Sequence, residues 1–173
     1  TSMGFRWAAK WLIENISTVK SFDEFVNNEA LVYSSSFLIL QIAEHAKKLS
    51  KDGVKVCVAD ERNEICAVSK GYLGFDLGYS LDVLEGASKS DAFSILIRSM
   101  SPDVIITDEL GGNEDLVAVK KAISSRVSII ASIHSKSREE LFKNNSEFKS
   151  VFDCFITLNR TNGPGTIGEI YRV

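Results

Sequence analysis

Short apolar runs separated by stretches of helical period constrain the fold of this chain more than any other feature. Residues 54–59, 103–107, 127–133 and 152–158 are apolar at most positions and do not alternate with polar residues. Successive side chains of a strand point to opposite faces, so a run of this kind must be covered on both sides. The intervening segments carry apolar residues at helical spacing. Residues 37–49 form an amphipathic helix with a serine at its N-cap, residues 91–100 a helix that stops before Pro102, and residues 113–124 a third. A short helix is expected over 138–143. Strands and helices in this alternation predict an α/β fold: a mostly parallel sheet with helices on both faces.

The ends of the chain are less regular. Trp7, Ala8, Trp11, Leu12 and Ile16 have helical spacing, and a second helical piece surrounds Phe22, Phe25 and Val26. Residues 1–28 therefore read as an N-terminal helical segment and residues 29–173 as the core, beginning with a short strand at 30–33. Residues 69–88 contain several glycines and read as irregular, with Asp76, Asp82 and Lys89 in or beside them as structural or interface residues. Residues 166–173 follow Asn162-Gly163-Pro164-Gly165 and read as an edge strand or hairpin.

With 173 residues, 45% of them hydrophobic, the chain is large enough for one domain with a real core. A net charge of −3 gives no global reason to expect a nucleic-acid partner, and no basic stripe is interleaved with aromatics. Cys57, Cys66 and Cys154 form no CxxC pair, which predicts buried thiols in a reducing compartment. No apolar run approaches the ~20 residues of a spanning helix, and no signal peptide is visible. A cytoplasmic protein is the expectation.

In parallel sheets, ligands sit beyond the carboxyl ends of the strands. The 54–59 run ends in Asp60-Glu61-Arg62-Asn63-Glu64, the 103–107 run in Asp108-Glu109, and the 127–133 run leads into His134. One acidic strand end is unremarkable, because polar residues mark where strands stop. Three together place carboxylates, an arginine and a histidine along one edge, which favours a site. An apolar strand handing over to Asp-Glu has the form of a Walker B element. There the aspartate holds a magnesium shell and the glutamate polarises the attacking water.

Asp60-Glu61-Arg62-Asn63-Glu64-Ile65, Asp82-Val83-Leu84, the stretch from Ile97 to Ile105 with Arg98-Ser99-Met100-Ser101-Pro102 at its centre, Asp108-Glu109-Leu110-Gly111 and Ile133-His134 occur in this order. Together they resemble the stage III sporulation protein AA family, relatives of the ATPases that drive type II and type IV secretion. The resemblance runs from about residue 37 to the C-terminus. It implies a RecA-like P-loop NTPase core that binds ATP and Mg2+, assembles as a hexameric ring, and lies in the cytoplasm or against the membrane through its partners. Those partners would be membrane-bound proteins of a channel between mother cell and forespore, energised by ATP hydrolysis.

Carried over by residue, the resemblance makes Asp108 the magnesium-shell aspartate. Glu109 and Glu64 become alternative residues for orienting the hydrolytic water. His134 takes the position of a γ-phosphate sensor, and Arg62 and Arg98 become candidates for completing a neighbour's site. Ser34, Ser35 and Ser36, with Asp60 and Glu61, fall where nucleotide contacts are expected.

The chain departs from this pattern at one place. A P-loop ATPase needs GxxxxGK(S/T) between its first strand and first helix, where backbone amides and a lysine hold the phosphates. Ser34-Ser35-Ser36 stands there instead, and the motif occurs nowhere else in the sequence. Two readings stand at this point. Either a loop present in the natural protein is missing from this junction, or the protein is a degenerate, non-hydrolysing ring subunit. A RecA-like module associated with nucleic acid is a third reading, against which the acidic balance argues.

Overall fold

The computed structural model describes residues 47–66, 68, 70–73, 80–135, 137–144, 146–159, 161 and 166–173. The N-terminal helical segment, the expected 30–33 strand, Ser34, Ser35, Ser36, Asp76 and most of the 37–49 helix lie outside them. That helix enters the described residues at 47, and its last turn runs to 51.

The elements are β1 (Val56–Asp60), β2 (Leu81–Glu85), α1 (Lys89–Met100), β3 (Val104–Thr107), α2 (Asn113–Ser124), β4 (Ser128–Ala131), α3 (Arg138–Asn144), α4 (Phe148–Val151), β5 (Cys154–Asn159) and β6 (Thr166–Arg172). Strands β1 to β4 form one parallel sheet in the order β2-β1-β3-β4. Its strands are apolar without alternation because both faces are covered. Cys57, Ala59, Ile105 and Ile129 face Phe93 and Leu96 of α1 and Val119 and Ala122 of α2. Val56, Val58, Val104 and Ile106 face the other way, against Leu49 and the loop residues Ile65 and Cys66. The α/β class read from the sequence is the class observed.

Two departures from the expected elements matter for the site. The region read as irregular contains β2, a parallel edge strand paired residue for residue with β1 from Leu81 to Glu85. Asp82 interrupts its apolar residues and its burial is only partial, so it lacks the signature of a central strand. Asp82 is thus a strand residue, and Lys89 opens α1 rather than lying in a loop. The second departure concerns the 152–158 run, which lies outside the parallel sheet, while 166–173 forms the hairpin that was one of its two readings. Strand β5 pairs antiparallel with β6 in a separate two-stranded sheet. Phe142 of α3 holds that hairpin, its ring centroid 5.0 Å from Phe155 and 5.6 Å from Tyr171.

Each helix between parallel strands runs back against the sheet. The first turns of α1 and α2 therefore lie at the carboxyl edge, where the candidate residues are, and their last turns at the opposite edge. Among the described residues no helix is long and apolar enough to cross a membrane.

Candidate functional site at the carboxyl edge of the sheet

The tips of β1, β3 and β4, adjacent in the sheet, bring Arg62, Glu109 and His134 into contact. Glu109 follows β3 by two residues. One of its carboxylate oxygens is bound by the Arg62 guanidinium, and the other lies 2.8 Å from His134 Nε2. The hydrogen bond with His134, and to a lesser degree the Arg62 charge, hold the Glu109 carboxyl below its ordinary value against an opposing effect of burial. The backbone at Glu109 is left-handed, with φ of 39°. Its N–H donates to Ser132 Oγ at 2.9 Å, and the next N–H, of Leu110, donates to the Ser132 carbonyl at 2.8 Å.

Arg62 reaches Glu109 because the loop after β1 is folded around two side chains. Asp60, fully buried at the end of β1, accepts the N–H groups of Glu64 at 2.8 Å, Ile65 at 3.1 Å and Cys66 at 2.8 Å. Asn63, itself left-handed with φ of 58°, bonds both polar groups of the Val68 backbone through its side-chain amide. The Asp60 carboxylate is therefore committed to loop structure, and Glu64 is left exposed beside the site.

Asp108 behaves differently. It is 2% exposed, and neither carboxylate oxygen has a hydrogen-bond partner among the described residues. Buried carboxylates are normally paired, so an orphaned one is open to a proton, a water or a ligand group. Burial raises its proton affinity above the ordinary value; the Lys89 charge opposes this, while Asp60 and Glu64 add to it. Mg2+ keeps much of its water and binds proteins through one or two carboxylates plus substrate phosphates. Asp108 fits that role, as an acceptor for the water of a magnesium shell. No group of three or more candidate ligands gathers for direct coordination among the described residues.

Lys89 is a site residue that the sequence reading set aside. It is 6% exposed in the first turn of α1, and its Nζ lies 2.7 Å from Glu61 Oε2. A lysine there opposes the helix dipole, so its position calls for the acidic edge to hold it. Ser132 was also passed over. It lies two residues before His134, and residues two apart in an extended chain share a face. That spacing was the available signal. Arg98 is not brought to this edge. It is exposed in the last turn of a helix of 12 residues, which spans roughly 18 Å.

Residues 34–173 match the family model described as sporulation stage III, protein AA. The stage III sporulation protein AA of Bacillus subtilis (strain 168) is 38% identical over 122 residues, a match covering 68% of this chain and 40% of the relative. The chain thus corresponds to less than half the length of that relative. Among solved structures, the VirB11 ATPase from the Brucella suis type IV secretion system, in complex with sulphate, aligns with 92% of this chain and 62% of its own, at 17% identity and a TM-score of 0.44.

Proposed function

This chain belongs to the stage III sporulation protein AA family, and on that footing we propose that it is the RecA-like core of an ATPase that energises a sporulation channel. The observation that carries the reading is the adjacent pair at the tip of β3. Asp108 is buried with both oxygens unpartnered, and Glu109 beside it is held by Arg62 and His134. A motor of this kind needs one carboxylate for the magnesium shell and a second group to orient water.

In the arrangement observed, both oxygens of Glu109 are engaged, so it is a weak base. Its role as the group that takes a proton from the attacking water requires one partner to turn away. Arg62 and His134 are the cations or donors next to it, and the negative charge of a bound triphosphate is the natural attractor for either. Asp108 would hold Mg2+, which when bound neutralises charge on the phosphate oxygens. Lys89 balances the acidic edge from within.

ATP as ligand, a hexameric ring, and membrane-bound channel proteins between mother cell and forespore as partners belong to this proposal through the family. So does a position in the cytoplasm at the membrane periphery. The second reading, a ring subunit that does not hydrolyse, is favoured by Ser34-Ser35-Ser36 standing where a phosphate loop is required.

Turnover of ATP with Mg2+, set beside direct binding of a fluorescent ATP analogue, tests both readings. The ATPase reading expects binding and turnover, with Glu109→Gln reducing kcat by about 10²–10⁴-fold while leaving binding intact. Binding without turnover in the unmodified chain selects the second reading. Absence of binding overturns the first outright. Intact mass addresses the loop: a value above 19.1 kDa by about eight residues would show a phosphate loop in the protein as expressed.

A further inference from the structure

We infer that Ser132 is the positioning residue for Glu109, setting through the backbone where that carboxylate points. The functional part of this inference rests on the ATPase reading; the geometric part stands without it.

The parallel pairing of β3 with β4 ends at Thr107 and Ala131. One residue beyond that rung, Ser132 replaces strand pairing with two bonds of its own. Its hydroxyl accepts the Glu109 N–H at 2.9 Å and its carbonyl accepts the Leu110 N–H at 2.8 Å. Between those two N–H groups lies the left-handed backbone of Glu109, with φ of 39°. A glutamate seldom adopts that conformation, because its Cβ crowds the following carbonyl. Such residues persist where surrounding structure over-determines them, and they cluster at functional sites.

The turn carries the Glu109 side chain along the carboxyl edge to His134, two residues past Ser132 on the same segment. Ser132 thus fixes the glutamate and its histidine partner in one frame. The carbonyl bond survives any substitution at this position. The hydroxyl bond to the N–H of Glu109 depends on Ser or Thr.

The experiment reads the Glu109–His134 contact directly. The chain contains two histidines, so the ring-proton resonance of His134 is readily assigned. At one fixed neutral pH it is compared in the unmodified protein, in Glu109→Gln as the reference for a broken contact, and in Ser132→Ala and Ser132→Thr. The Ser132→Ala resonance should move toward the Glu109→Gln position, and that of Ser132→Thr should stay with the unmodified protein. In ATP turnover, Ser132→Ala should lose about 10–100-fold in kcat with KM unchanged, the scale of a small misplacement of a catalytic group. Ser132→Thr should recover it.

A Ser132→Ala resonance at the unmodified position overturns the inference whatever the turnover. If Ser132→Ala does not fold, Ser132→Cys serves in its place, being similar in size and a poor acceptor, with the same expected shift. If the resonances behave as described while Glu109→Gln leaves turnover unchanged, the catalytic assignment of Glu109 falls and the positioning by Ser132 remains.

Discussion

The Lys89 amine and the Glu61 carboxylate lie 2.7 Å apart at the carboxyl edge, the lysine 6% and the glutamate 41% exposed. The pair is lopsided. Glu61 keeps access to water, while Lys89 has left it, against the dipole of its own helix. What returns the lost hydration is the negative charge around it, from Glu61 at hydrogen-bond distance and from Asp108, whose charged form Lys89 favours.

Lys89→Met should therefore destabilise the fold by about 1–2 kcal/mol, below the usual cost of breaking a fully buried pair because Glu61 is partly hydrated. Urea denaturation measures it. Asp108→Asn should raise stability more in the Lys89→Met background than in the unmodified protein, because there it also removes an uncompensated charge. Strictly additive effects of the two substitutions would show that Lys89 does not act on Asp108.

Asp108 itself gives a prediction with a definite pH sign. Burial raises its carboxyl above 3.8, so the native state holds that proton more tightly than the unfolded chain does. Ionising it costs stability. That cost is absent below the ordinary value, grows as pH rises through the window up to the raised native value, and is constant above it. Asp108→Asn should accordingly be more stable than the unmodified protein at neutral pH. The two should converge in acid, and a gap that widens toward low pH would contradict the assignment.

Asp60, at the tip of β1 beside β3, is predicted to be structural. Its carboxylate accepts three loop amides, and bonds to a charged acceptor contribute about 1.5–3 kcal/mol each before overlap. Asp60→Ala should cost roughly 3 kcal/mol or more. It should also open the loop that carries Cys66. That thiol is buried and its proton affinity is pushed far up, mainly by burial; Cys57 is likewise raised, to about 11. Both should resist a thiol reagent at pH 8 in the native protein. In Asp60→Ala, Cys66 should react and Cys57 should not.

How far the sequence reveals this site depends on what each residue needs from its neighbours. Helix α2 was expected over its observed span because its period and ends are local properties, and the edge formed by Arg62, Glu109 and His134 followed from strand ends alone. Strand β2 was missed because an edge strand is defined by its partner, here β1, and Asp82 hides its apolar pattern. Lys89 and Ser132 were missed for a related reason. A lysine opening a helix and a serine after a strand are ordinary residues until the fold places an acid or a strained amide beside them. Asp60 shows another side of this: the resemblance put it among the nucleotide contacts, and only the fold shows that its carboxylate accepts three backbone amides of its own loop.

The two arginines singled out as candidates for a neighbour's site now separate. Arg62 is bound to Glu109 of its own chain, while Arg98 is exposed at the other end of α1. If turnover occurs in a ring, Arg62→Ala and Glu109→Gln disable the same site. Mixing those two inactive variants should then give no recovery, since every subunit lacks one half of its own pair. Arg98→Ala mixed with Glu109→Gln should differ. A subunit with intact Glu109 can sit beside one with intact Arg98, and an arginine acting across the interface, worth about 10³–10⁵-fold in such enzymes, would be restored there. Turnover of the mixtures, assayed after subunit exchange and compared with each parent, decides the matter. Recovery in the Arg62 mixture would show that its bond to Glu109 is a resting contact and that its working partner lies in the next subunit.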